Sequence, residues 1–256
     1  MSENPTPAQS AASGAQAQAQ LASRTIRHPL ARTLLALTFT TGLIDAVSYL
    51  GLGHVFTANM TGNVVLLGFG IAGAGGLPVV GPLVSLGAFI VGAAAGGLLA
   101  GWMDKRHPTH LSAALVTEAS LIGVAVVLCV ALDVHAGSLS GYVTIALLAL
   151  AMGVRNATVR RIGVADLTTT VLTMTLTGLA ADSQLAGGSG AGSTRRTAAA
   201  LAMLTGAFTG ALLQKSSLVV PLLVAAALAL LAGLVYVPAM RRAGWPVRGA
   251  EPQPPT

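Results

Sequence analysis

The chain has 256 residues, 54% of them hydrophobic, 9% charged and 4% aromatic, with a mean hydropathy of +0.75. An ordinary soluble domain carries about 25% charge, so these numbers exclude a disordered protein, a nucleic-acid-binding module and almost any soluble enzyme. The net charge of +6 does not restore a nucleic-acid reading, because Lys and Arg stand in short clusters between apolar runs, as in loops that fix membrane orientation.

What remains is an all-α polytopic membrane protein. Residues 1–29 read as a disordered N-terminal arm, opening with an Ala/Gln/Ser/Pro-rich stretch without apolar periodicity and without a signal-peptide cleavage site. Residues 30–240 form the membrane domain, and 241–256 a basic, then Pro-rich, cytoplasmic tail. Within the domain, apolar segments fall at about 30–52, 57–74, 79–103, 111–132, 138–157, 165–182, 196–214 and 217–238. A crossing helix needs about 20 apolar residues, which six of these supply. The second segment opens FTANMTGN and ends in glycines; the sixth carries six Thr between Thr168 and Thr177. Neither suits a lipid-facing span.

Charge decides the path. If all eight segments cross, Lys and Arg divide almost evenly between the two sides. If the second and sixth are re-entrant, thirteen of the 14 fall on the side of the N-terminus and only Lys215 falls opposite. Positive residues of short loops collect in the cytoplasm, so six crossings plus two re-entrant segments is the expected topology, with both termini cytoplasmic.

The two halves also resemble each other. Gly42, Asp45 and Ala46 align with Gly153, Asn156 and Ala157, Thr57 with Thr168, Thr61 with Thr173, and Gly87-Ala-Phe89 with Gly206-Ala-Phe208. Repeat one covers 30–132 and repeat two 138–238. Three crossings per half make the second half inverted, a 3+3 inverted repeat of the kind that places a solute site where broken segments meet.

The runs TGLIDAVSYLGLGHVFTANMTGNVVLLG and MGVRNATVRRIGVADLTTTVLTMTLTGLA resemble the uncharacterised bacterial YoaK family of integral membrane proteins, over about residues 33–240. The resemblance rests on Gly42, Asp45, Thr61-Gly62-Asn63, Asn156-Ala157 and the Thr-rich run. Arg155 stands where the family usually has Gln, and Met174 where Gly is common. The resemblance implies a bacterial inner-membrane location and supplies no substrate.

Polar residues inside apolar segments are the candidate site. Asp45 lies beyond the midplane of the first segment, as a coupling carboxylate or as a structural cap on the re-entrant segment. Thr61 and Asn63 on one side, with Thr173 and Thr175 on the other, would open half-helices whose positive ends favour neutral or anionic solutes, or would serve helix packing. Asn156 is the neutral partner of Asp45. Glu118 is either a second intramembrane carboxylate or bonded to a neighbouring helix, and Arg155, Arg160 and Arg161 read as inner-boundary topology determinants. Two pairs, Gly92-xxx-Gly96 and Gly206-xxx-Gly210, could join helices within one chain or between chains, which leaves homo-oligomerisation open.

No enzyme motif, cofactor fingerprint or metal-ligand cluster is present in the sequence, and the lone Cys129 excludes a disulfide framework. The expectation is therefore a secondary transporter or channel-like facilitator for an unknown small neutral or anionic solute. It would have the lipid bilayer as its surroundings, no nucleic-acid partner, and Asp45, Thr61, Asn63, Asn156, Thr173 and Thr175 as its substrate-binding residues. A non-transporting membrane scaffold or regulator is the alternative, and an intramembrane enzyme comes third.

Overall fold

The computed structural model describes residues 29–103, 109–162, 172–190 and 192–242; the arm as far as residue 28, and the tail beyond Arg242, lie outside these. All regular structure among the described residues is helical. In chain order the helices are α1 (Pro29–Gly51), α2 (Met60–Ile71), α3 (Val80–Met103), α4 (Thr109–Ala131), α5 (Leu139–Ile162), α6 (Leu172–Ala181), α7 (Ser193–Gln214) and α8 (Val219–Arg242). Each matches one apolar segment of the sequence. Helix α5 runs five residues further than its segment, through Arg160 and Arg161.

Length separates two kinds of helix. Five, namely α1, α3, α4, α5 and α7, are long and apolar enough to cross a membrane, and α8 adds an apolar stretch from Val219 to Val235. By contrast α2 has 12 residues and α6 has 10. At 1.5 Å per residue they extend about 18 and 15 Å, well short of a hydrocarbon core about 30 Å thick.

The distribution of side chains suits lipid rather than water. Large apolar residues such as Leu98, Val130, Leu204, Phe208 and Leu234 are outside, while the interior takes small or polar residues, including Thr38, Thr40, Thr41, Ser48, Ala125, Ala151, Ala225 and Ala229. In water that exposed apolar surface would drive aggregation; in hydrocarbon it is solvated, and small residues let backbones approach. The chain is thus a polytopic membrane protein.

Glycine carries the closest approaches. Gly92 and Gly96 of α3 face the carbonyls of Leu150 and Val154 on α5, and Gly153 of α5 faces the carbonyl of Phe89 on α3. The same three contacts occur between α7 and α1: Gly206 and Gly210 face the carbonyls of Phe39 and Leu43, and Gly42 faces that of Met203. A Cβ at any of these would press into backbone. Both small-residue pairs noted in the sequence are therefore occupied within one chain. They build two arms, α1 with α7 and α3 with α5, each joining a helix from the first half to one from the second. Helix α8 packs on α1, and α4 on α5 and α8.

The helix ends sort by charge. Gly51 touches Gln214 and Leu218, Gly53 touches Ala136, and Gly81 touches Val55, so these loops share one end of the bundle, where Lys215 and Asp133 are exposed. The other end carries Arg32, Arg160 and Arg161, all exposed, together with Arg195 and Arg196 at the start of α7. The interior is likewise divided. One apolar cluster, including Ile44, Val47, Ile122, Leu148, Met152 and Leu222, fills the Lys215 end. A smaller one, including Leu34, Leu111, Leu115, Val159 and Ala199, fills the arginine end.

Candidate functional site

Between those two clusters lies a layer that is not apolar. Arg155 of α5 is 1% exposed and Glu118 of α4 is fully buried. The guanidinium meets the carboxylate as a fork: Nε donates to Oε2 at 2.8 Å, and Nη2 donates to Oε1. Its remaining donors go to α1, Nη1 to the Leu37 carbonyl at 2.9 Å and the Thr41 hydroxyl at 2.7 Å, Nη2 to the Thr40 hydroxyl at 2.9 Å. All five N–H donors of the side chain are used. Either charge alone would be strongly unfavourable at this depth; as a hydrogen-bonded pair they are neutral and satisfied.

The sequence reading put Arg155 at the inner boundary, and the structure moves it inward. Because α5 continues to Ile162, Arg155 lies about 10 Å from the helix end, one turn from buried Met152 and Val159. The signal was present: Leu148, Met152, Arg155 and Val159 fall on one helical stripe, opposite in sign to Glu118 within another apolar segment.

The second polar cluster surrounds the break between α1 and α2. The chain leaves α1 through Gly53 at φ +95° and His54 at φ 58°, left-handed backbone that ends the helix. Asp45, nearly two turns before the helix end and buried, turns Oδ1 toward the returning chain and accepts the backbone N–H of Thr57 at 2.9 Å and of Ala58 at 2.8 Å. Its Oδ2 is buried without a partner. Asn63, fully buried on the first turn of α2, reads Phe56 as a peptide would. Its Oδ1 accepts the Phe56 N–H at 2.9 Å, and its Nδ2 donates to the Phe56 carbonyl at 2.6 Å and to Ser85 Oγ at 3.1 Å. Ser85 in turn donates to the same carbonyl at 2.7 Å. Asn59 caps α2 by accepting the Gly62 N–H. Tyr49 stacks on Phe56 with ring centroids 4.8 Å apart. The N–H groups of Phe56, Thr57 and Ala58 and the Phe56 carbonyl thereby find side-chain partners, as non-helical backbone in an apolar setting demands.

Asn63 is level with Ser85, which lies only about 8 Å along α3 from its beginning. Asn63 thus sits nearer the end of the bundle than its middle. Of the other candidates, Thr61 is exposed on the first turn of α2 and Thr173 exposed on α6, while Thr175 is buried. Asn156 is half-buried and donates to the Met152 carbonyl of its own helix at 2.8 Å. The structure therefore gathers Asp45 and Asn63 around one loop. The counterpart loop, with Thr168 and its neighbours, lies outside the described residues. Beyond it α6 is tied to α7, where Arg196 donates to the Gly178 carbonyl at 2.6 Å and to Asp182 at 2.7 Å. Among the described residues no cluster of three or more His, Cys, Asp or Glu has metal-binding proximity.

Comparison with known sequences agrees with this architecture. A family described as a protein of unknown function, DUF1275, matches residues 33–235. The UPF0700 transmembrane protein YoaK of Bacillus subtilis (strain 168) is 36% identical over 152 residues, 59% of this chain and 66% of that protein, just under two thirds of its length. No solved structure matches.

Proposed function

The chain belongs to the DUF1275 family, and from that membership and the geometry we propose a secondary transporter or channel-like facilitator for a small neutral or anionic solute. It is built as a 3+3 inverted repeat of six crossing helices and two re-entrant segments. One observation carries the reading. Three glycine-to-carbonyl contacts made by α3 on α5 recur between α7 and α1, at positions 92/206, 96/210 and 153/42 facing 150/39, 154/43 and 89/203. Spacing is constant within each helix pair, which supports a duplicated unit whose copies interlock. Such an architecture, with a broken segment in each half and a charged pair between, is the frame on which alternating access is built.

The placement of Arg32, Arg160, Arg161 and Arg195 at one end supports a cytoplasmic assignment for that end, and with it cytoplasmic termini in a bacterial inner membrane. In this reading the solute path runs between the two arms, bordered by Asp45, Thr61 and Asn63 from the outer side and by Asn156, Thr173 and Thr175 from the inner. We assign it no enzymatic chemistry.

The test is water access. In a Cys129→Ser background, Thr61→Cys and Thr173→Cys are treated with a membrane-impermeant maleimide in intact cells and in inverted vesicles. We expect Thr61→Cys to react from the outside and Thr173→Cys from the inside. Protection of both, in folded protein with its loops labelled, sinks the transport reading.

A scaffold or regulatory role is the second reading, favoured by a specific feature: Asp45 Oδ1, Asn63 and all five Arg155 donors are spent on the protein itself. A scaffold predicts dry positions at Thr61 and Thr173 and no solute-dependent phenotype.

A further inference from the structure

The central ion pair is unequal in its attachments. From α1, Arg155 is held by the Leu37 carbonyl and by the hydroxyls of Thr40 and Thr41. From α4 it receives only the two oxygens of Glu118. If Glu118 swung away, three neutral acceptors would still hold the guanidinium in place, with its planar Nε/Nη2 edge open to another two-oxygen anion. That edge is the standard receptor for a carboxylate.

The layer is also one-sided. At the offset of 111 that relates α1 to α5, the counterpart of Arg155 is Ile44, buried in apolar surroundings, and α8, which packs on both α4 and α1, contributes the buried alanines Ala225, Ala229 and Ala232. On α3, the small residues Gly92 and Gly96 face α5. The groups bonded to Arg155 besides Glu118 are thus two hydroxyls and a carbonyl from α1, all neutral. Among the described residues Arg155 is the cation that Glu118 contacts, and a bare carboxylate at this depth is strongly unfavourable, so its departure from Arg155 is coupled to uptake of a proton.

From this geometry we infer that Arg155 is the solute receptor of the path proposed above, that the solute is a small carboxylate, and that Glu118 is the resident carboxylate it displaces. The inference rests on the transport reading. As the solute carboxylate settles on Nε and Nη2, Glu118 accepts one proton. The site keeps its net charge, and one proton accompanies one carboxylate anion. Arg155 joins α5 to α1 through neutral acceptors and to α4 through Glu118, so exchanging its ligand alters the charged tie between α5 and α4.

The experiment uses the full chain in phosphatidylcholine–phosphatidylglycerol vesicles, with an inward proton gradient. Uptake of pyruvate, succinate and benzoate is compared with that of glycerol and inorganic phosphate. We expect wild-type protein to move at least one carboxylate about tenfold faster than empty vesicles do, the scale of one charge-assisted hydrogen bond. Arg155→Gln should fall to the empty-vesicle rate. Glu118→Gln, which mimics the protonated carboxyl, should keep exchange against internal carboxylate and lose its response to the proton gradient. Should Arg155→Gln fail to fold, Arg155→Lys retains the charge without the fork and should lower uptake by about tenfold. Unchanged carboxylate uptake in the Arg155 variants overturns the assignment, and so does a protein that moves none of the three carboxylates. Movement of glycerol or phosphate alone overturns the carboxylate assignment while leaving transport standing. No movement of any probe, with Thr61 and Thr173 both protected, removes both.

Discussion

Arg155 with Glu118, and Asp45 with Asn63, are both buried polar pairs, yet they do opposite things. The first joins three helices through side chains, with one charge answering another across α4 and α5. The second spends a carboxylate and an amide on backbone, satisfying N–H and C=O groups that the broken chain cannot pair by itself. Burial alone therefore says little about role. What distinguishes the two is the partner: a side chain that can be exchanged in one case, a peptide group that is always present in the other.

The contrast is sharpest when one partner is removed. Arg155→Met strands the Glu118 carboxylate and should cost about 3–5 kcal/mol, whereas the double variant Arg155→Met/Glu118→Leu should recover most of that loss, because an apolar pair needs no compensation. Thermal unfolding in detergent reads both; equal losses in single and double variants would show that the two side chains act independently. At the loop no double variant can rescue. Asp45→Ala leaves the Thr57 and Ala58 N–H groups without an acceptor and should cost about 2–4 kcal/mol, with Asp45→Asn retaining part of the stability through its remaining oxygen. A mild Asp45→Ala phenotype in the same melt would mean that the loop repairs itself.

Two smaller effects test whether the halves are equivalent. Gly206→Ala and Gly92→Ala each drive a methyl into a facing carbonyl and should cost about 1–3 kcal/mol apiece, similar in the two arms. A large difference between them would argue against interlocked copies of one unit. Gly87→Ala, where a Cβ meets open space, should be neutral or stabilising by up to about 1 kcal/mol. Smallest of all is Thr61→Ala, on an exposed turn, expected within about 0.5 kcal/mol of wild type by the same measurement.

Much of the scaffold was legible because apolar run length and charge clustering are local properties. The eight segments fall on the eight helices described, and the shortness of α2 follows from the glycines that interrupt its segment. Asp45 as a cap on the re-entrant segment was one of two readings the residues allowed, and the two backbone N–H bonds favour it for Oδ1. Arg155 was misplaced because a cluster with Arg160 and Arg161 looks like a loop when the segment is ended at residue 157. Only the continued helix turns Arg155 inward while its neighbours remain outside. Asn63 was legible as a polar residue in an apolar run, but its grip on Phe56 and Ser85 spans up to 22 residues of chain, and no local pattern encodes that.

What the sequence determined by itself is the solvent and the segments: a chain with this much apolar surface and so few charges must be dissolved in lipid, and its lengths set which helices can span it. What only the tertiary structure decided is the pairing. Helix α3 lies on α5 rather than on α1, which precedes it in the chain, and Glu118 meets an arginine 37 residues away. The reason is physical. In hydrocarbon every apolar face is equally well solvated, so hydrophobicity cannot choose partners; close glycine contacts and the neutralisation of buried charge can.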